Sequence, residues 1–296
     1  MLAQLSRTIG FILDHPIGRR HPVRCLGRLA GWQVRSRLSG GPHRIDYVGR
    51  THLLARRGET GISGNIYVGL HEFADMAFVA HVLCSDDTFL DIGANAGSYT
   101  ILAAGWCGAR VIAVEPVPET FTRLEANVVS NGLDARVELY QCALGASGGH
   151  VTFTCDADTT NHVVERKIVD DARTIEVPLR TIDDLLAGRS ATVVKLDVEG
   201  YERQVLEGAR STLKHREVQA LLVEIFSDRT LNSEGVSTLD VLRSAGFTSC
   251  RYDPWQRTLT SEPQPQSGNV LFVRDLEWAE ERLRAATPLS ILGEAV

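Results

Sequence analysis

The sequence predicts an α/β protein with a doubly wound, Rossmann-like sheet, and three stretches predict it. An apolar run from Thr88 to Ile92 carries an acid, Asp91, and breaks into the turn Gly93-Ala-Asn-Ala-Gly97 before a helical pattern begins near Ser98. A second run, Ala109 to Val114, ends in Glu115, 18 residues beyond Gly97. A third, Thr192 to Val198, alternates so that Lys195, Asp197 and Glu199 share one side of its two-residue period. Strand, tight turn, helix and strand again builds parallel sheets that bind ligands at their carboxyl ends.

The chain of 296 residues, 44% hydrophobic and 23% charged, suits one large α/β domain with an extension, or two domains. No apolar run approaches the roughly 20 residues that span a bilayer, and Ile9 to Leu13 is short and lacks a cleavage site, so a cytoplasmic protein is expected. Six scattered cysteines form no C-x-x-C pair, which argues for reduced, mostly buried thiols and no zinc site. Charge is uneven: residues 1–60 hold eleven arginines against three acids, net +8, leaving −14 for the remainder. Such a start suits nucleic acid, an anionic membrane surface or a phosphorylated carrier, or is simply a solvated arginine-rich face.

Residues 1–60 read as a basic extension, helical or irregular to about residue 40. From Arg44 to Val68 the short runs Ile45 to Val48, His52 to Ala55 and Asn65 to Val68, punctuated by glycines 58, 61, 64 and 69, suggest small strands before a helix from His71 to Leu83, whose Glu72 is either a contact of the cofactor site or a solvent-facing acid at the helix start. In that turn Gly93 and Gly97 let a ligand approach the backbone, and the helix opening at Ser98 offers free N–H groups. The spacing G-x-x-x-G departs from the dinucleotide fingerprint, and Asp91 would repel a pyrophosphate. An acid there welcomes S-adenosylmethionine (SAM), which carries an ammonium and a sulfonium, although Asp91 could also merely cap the turn. Glu115 is placed to bind the two ribose hydroxyls, and Pro116 leads into a helix from Glu119 to Asn131. After a third strand, Ala135 to Tyr140, the small residues Cys142 and Ala143 would leave room for adenine or would simply pack the core.

Residues 148–180 interrupt the alternation with two strand-like runs and a polar loop containing His162, a titratable group near neutral pH, which reads as a β insertion overhanging the pocket. Charges inside a parallel strand need partners, so Lys195, Asp197 and Glu199 converge on a site, or Lys195 simply pairs with a neighbouring carboxylate. A fifth strand, Val218 to Phe226, includes Glu224, runs near 247–252 and 269–273 form a closing antiparallel pair, and a peripheral helical tail begins at Leu276.

Residues 89–100, 114–121, 143–145, 194–202 and 205–209 together resemble the FkbM family of SAM-dependent methyltransferases, over about Gly64 to Arg274. The resemblance implies a class I methyltransferase fold, a seven-stranded mixed sheet of order 3-2-1-4-5-7-6 with helices on both faces. The methyltransferase domain would span 61–275, with 276–296 as a C-terminal helix and tail. It also implies methyl transfer to a hydroxyl of a sugar, glycan or secondary metabolite.

The expected cofactor contacts are Asp91, Gly93, Asn95, Gly97 and Ser98 from the turn, Glu115 and Pro116 from the second strand, and Cys142 and Ala143 from the third. An alcohol needs a base, for which Asp197 or Glu199 comes first and His162 second, with Lys195 holding the carboxylate or the acceptor. No metal is expected, although Asp197, Glu199 and Glu224 together would suit Mg²⁺. An RNA methyltransferase using the basic start and a non-catalytic SAM-binding protein are the alternatives. The acidic remainder, without an evident base-stacking motif, argues against nucleic acid, while weak peripheral membrane contact through the basic start stays open.

Overall fold

A computed structural model describes residues 2–154, 174–225, 237–265 and 268–296. The central sheet has eight strands: β1 Thr88–Ile92, β2 Arg110–Val114, β3 Val137–Tyr140, β4 Val193–Leu196, β5 Ala220–Ile225, β6 Thr248–Asp253, β7 Thr258–Ser261 and β8 Gly268–Val273. Their order is β7-β6-β8-β5-β4-β1-β2-β3. With β7 set aside, this is the expected 3-2-1-4-5-7-6 arrangement. The eighth strand arises because the proline-bearing loop after β6 folds back as a hairpin, pairing Cys250 with Ser261 and Asp253 with Thr258. β1 to β5 run parallel, and β8 enters antiparallel to both β5 and β6.

Alternation along the strands divides the core in two. Leu90, Ile92, Val194, Leu196 and Phe272 point to one face, while Phe89, Val111, Val193, Leu222 and Val273 point to the other. Asp91 stands opposite Lys195 in register, and Glu224 is two residues beyond Leu222. The period of two therefore places Asp91, Lys195 and Glu224 on the same face as Phe89 and Leu222, beneath the amino-terminal helices. The connections reverse direction between β1 and β4, and at that switch point an open α/β sheet forms its crevice.

The first 38 residues form three helices, Leu2–Asp14, Pro16–Arg20 and Pro22–Leu38. Their buried residues Ile12, Ile17, Cys25, Leu29 and Trp32 join the same apolar cluster as Phe89. A hairpin follows, His43–Asp46 paired with His52–Ala55. Asn65 to Val68, expected as a strand, instead closes a helix, Thr60–Val68. Close contacts explain the glycines inside it: a Cβ at Gly64 would stand 2.5 Å from the His71 ring, and one at Gly61 3.0 Å from Asn95. The helix after the glycine turn is regular only over Ser98–Ile101 and widens into a π-helical turn, Leu102–Trp106.

Gly149–Thr154 and Thr174–Arg180 pair as the expected insertion strands, and Ala143–Leu144 completes a separate three-stranded sheet with them. The carboxyl-terminal tail is not peripheral. After helix Leu276–Ala285, the small hairpin around Gly293 buries Leu289, Ile291 and Val296, and Glu294 bonds His21 at 2.6 Å. The amino-terminal extension and the carboxyl-terminal tail thus brace each other.

Candidate active site

A cleft of about 290 Å³ opens at the switch point. One wall is the glycine turn (Gly93 to Asn95, Ser98, Tyr99) with Glu115 to Val117, and the other is the ends of β4 and β5 with Lys195, Asp197 to Glu199, and Glu224. The amino-terminal layer closes it with Gly61, Asn65, His71, Glu72 and Met76, and Phe153 enters from the insertion.

The turn wall is held by backbone. Gly93 adopts φ +75, and its backbone passes so close to β4 that a Cβ would lie 1.8 Å from the Asp197 carbonyl oxygen. The Gly93 and Ala94 amides both donate to the Val114 carbonyl at 3.0 Å, tying the turn to β2. Asn95, also at positive φ (+49), gives its amide to Glu115 Oε2, while the Val117 amide donates to Oε1, both at 3.0 Å. Burial pushes the Glu115 carboxyl up to about 7, against the pull of these two amides and Arg123. Asn65 Nδ2 donates to Ser98 Oγ at 3.0 Å, and the Asn65 carboxamide oxygen accepts from the His71 amide at 2.8 Å. That link couples the start of the helix after the turn to the segment that carries His71.

The opposite wall is held by charge. Lys195 Nζ donates to Asp197 Oδ2 at 2.8 Å and lies 5.1 Å from the Tyr99 ring centre. Burial works against the ammonium, but Asp197, Asp91 and Glu72 together raise its pKa. Burial likewise works against an ionised Asp197, yet Lys195 holds it below the usual carboxylate range. Glu224 is pushed up to about 9, first by burial and then by the Asp197 charge, so at neutral pH it is a protonated acid hydrogen-bonded to the Asp197 carboxylate. Glu202 orders the intervening loop by accepting the Val198 and Gly200 amides at 3.2 and 3.0 Å. Glu199 sits there at φ +55.

Behind this wall Tyr99 donates to Glu72 Oε2 at 2.7 Å, and Asn269 Nδ2 bridges Glu72 and Asp75 at 2.8 and 3.1 Å. Burial and the Glu72 charge push Asp75 up to about 7.

Of the expected cofactor contacts, Gly93, Asn95, Ser98, Glu115 and Pro116 line the cleft. Gly97 stands behind it as the left-handed residue that opens the helix, packed so that a Cβ would meet Leu124 at 2.6 Å. Asp91 is fully buried beneath the cleft, accepting from Thr100 Oγ1 at 2.6 Å, with its pKa raised by burial. There it neighbours Lys195 and braces the helix after the turn. Cys142 and Ala143 do not line the cleft: Cys142 is buried in the apolar cluster on the other sheet face, and Ala143 packs behind the cleft residues Val117 and Phe153. Of the expected catalytic groups, Lys195, Asp197 and Glu199 converge as foreseen, with Lys195 paired to a neighbouring carboxylate. His162 lies outside the described residues.

The structure adds His71, which sequence reasoning passed over although Glu72 beside it stood out. Its ring lies edge-on to Phe11 at 5.0 Å, and burial lowers its pKa against the opposing charge of Glu72, leaving a neutral imidazole in the cleft. The glycines at 61, 64 and 69 were the available signal, since they mark chain that must pass close to its surroundings.

Ligand oxygens of Asp197, Glu199 and Glu224 all lie within 4.8 Å of one another. Lys195 donates to one of them, Asp197, and the three carboxyls together have the donor chemistry of a divalent-cation site. The lining as a whole, with Glu72, Glu115, Asp197, Glu199 and Glu224 around one lysine, fits a cationic cofactor.

Residues 91–249 match the methyltransferase FkbM domain. The hexuronic acid methyltransferase AglP of Haloferax volcanii is 32% identical over 145 residues, covering 47% of this chain and 56% of that protein. The chain thus spans little more than half the length of this curated relative. Among solved structures, the precorrin-6y C5,15-methyltransferase of Geobacter metallireducens aligns with a TM-score of 0.41 at 13% identity, covering 69% of this chain and 87% of that one. A SAM-dependent O-methyltransferase of Thermotoga maritima aligns with 0.36 at 15% identity, covering 68% and 64%.

Proposed function

The chain belongs to the FkbM methyltransferase family, and on that premise we propose that it uses SAM to methylate a hydroxyl of a sugar, free or within a glycan. The charge of the cleft carries this reading: five carboxyl side chains surround one lysine, and that lysine is already committed to Asp197. An acceptor carboxylate would find no free cation among the described lining residues, whereas sugar hydroxyls donate readily to carboxylates. The resemblance to a hexuronic acid methyltransferase supports a sugar over other hydroxyl-bearing metabolites.

SAM, when bound, supplies a methyl group on a positively charged sulfur. Gly93, Asn95 and Ser98 would hold it against the turn, and Glu115, fixed by two backbone amides, would receive the ribose hydroxyls. The chain's principal contribution is alignment of the acceptor oxygen with the methyl carbon. Asp197 is a weak base, because Lys195 lowers its pKa and Glu224 shares a proton with it. In our reading Asp197 and Glu199 accept from acceptor hydroxyls and orient them, and the neutral His71 imidazole takes the proton of the hydroxyl that is methylated.

The test uses labelled SAM with uronic acid and neutral sugar acceptors. The expected product is a methyl ether, stable to mild base; release of methanol under those conditions would identify a carboxylate acceptor and defeat the reading. His71→Asn should lower kcat roughly 10²- to 10⁴-fold with SAM affinity kept, whereas Asp197→Asn and Glu199→Gln should chiefly raise the acceptor KM. Full turnover in His71→Asn would return the proton transfer to Asp197 or Glu199. Activity in excess EDTA should persist, and its loss with recovery on Mg²⁺ would install a metal on the acidic wall.

A further inference from the structure

Helix Pro22–Leu38 has two apolar faces, and the core explains only one of them. Cys25, Leu29, Trp32 and Ser36 are buried against the domain. On the opposite side, Val23, Gly27, Ala30, Gly31, Val34 and Leu38 recur at helical spacing and are all exposed. Val23 is 84% exposed, Val34 58% and Leu38 82%, and a Cβ built on Gly27 or Gly31 would meet nothing within 4 Å. Five of the seven large apolar side chains exposed among the described residues, Leu5 and Leu13 included, belong to this helix or to Leu2–Asp14.

Charge selects what covers the stripe. The first 38 residues hold seven arginines and one acid, Asp14. At 100° per residue Arg24 and Arg35 flank the stripe on one side and Arg37 on the other, all three exposed. A second copy packed helix to helix would bring these arginines against their equivalents, with no carboxylate on the helix to offset them. A surface that is apolar at depth and anionic at its rim complements the whole pattern. The stripe is about 22 Å long, from Val23 to Leu38 at roughly 1.5 Å per residue, and no helix among the described residues is long and apolar enough to cross a membrane. We propose that helix Pro22–Leu38 lies in the plane of an anionic lipid bilayer, inserting Val23, Val34 and Leu38 among the acyl chains while Arg35 and Arg37 engage the headgroups, Arg24 being held by the Leu292 carbonyl.

This inference stands apart from the methyl-transfer reading, because its readout is partitioning. Flotation of the full chain with vesicles of phosphatidylcholine containing 30% phosphatidylglycerol should recover the protein with the lipid, at least tenfold more strongly than with pure phosphatidylcholine. Val34→Glu with Leu38→Glu, both at exposed positions, should abolish that binding without altering thermal unfolding. Arg35→Gln with Arg37→Gln should weaken it several-fold and reduce its salt sensitivity. Failure to float with the anionic vesicles, or undiminished flotation of the Val34→Glu, Leu38→Glu protein, would overturn the proposal. A concentration-dependent dimer in sedimentation velocity that the same pair disrupts would reassign the stripe to self-association.

Discussion

The two walls of the cleft satisfy their acids by different means. On the turn wall, Glu115 is held by the Asn95 and Val117 amides, whose geometry is fixed by covalent chain and does not titrate. On the strand wall, Asp197 is held by Lys195 and by a proton on Glu224, so its geometry depends on charge. A backbone cradle suits a cofactor that is the same in every turnover. A network of side chains that exchange protons suits the place where an acceptor is oriented.

The largest expected effect breaks the junction between the walls. Gly93→Ala would drive a Cβ into the Asp197 carbonyl at a φ that disfavours alanine, and a loss of about 3 kcal/mol or more in denaturant unfolding is expected. Lys195→Met comes next: with the ammonium gone, Asp91 and Asp197 lose their compensating charge, at a cost of about 3 kcal/mol, and the melting temperature should recover partly at low pH as the acids protonate. Glu115→Gln should leave the fold intact and weaken SAM about tenfold by calorimetry, since the ribose loses a charged acceptor.

Glu224 sharpens the contrast through pH. Its folded pKa of about 9 lies above its unfolded value, so the folded state binds the extra proton, and this stabilising contribution, full below about 4.5, is lost as pH rises towards 9. Thermal unfolding of the wild type should therefore weaken over that window, and Glu224→Gln should flatten the part above neutrality, where Glu115 and Asp75, near 7, have mostly titrated. The smallest effect is expected at Cys142→Ala, where SAM affinity should stay within about twofold because the side chain packs in the core behind the cleft. A larger loss would restore the adenine contact that its position after β3 suggested.

Local pattern carried the turn wall. The run from Asp91 to Ser98, with Glu115 at the next strand end, announces itself because its residues follow one another within two strand-turn units. Lys195, Asp197 and Glu199 were legible for the same reason: their alternation is local. Asp91, the strongest sign of a cationic cofactor in the sequence, proved to be a buried brace, because its rank in the strand puts the side chain under the cleft, and strand position alone does not tell facing a ligand from lying beneath it. The helix Thr60–Val68 hid behind three glycines in ten residues that propensity reads as turns.

By itself the sequence determined the principal strands, the glycine turn, the acids at the strand ends and the arginine-rich start, since each is written in neighbouring residues or in period, whereas the strand order came only with the family resemblance. Only the tertiary structure decided that His71 lines one cleft with Lys195, Asp197 and Glu224, that burial and the Asp197 charge push the Glu224 carboxyl up, and that the stripe from Val23 to Leu38 stays uncovered. Those facts depend on distances between segments more than a hundred residues apart and on how much water each group keeps, quantities that packing sets and no local pattern records.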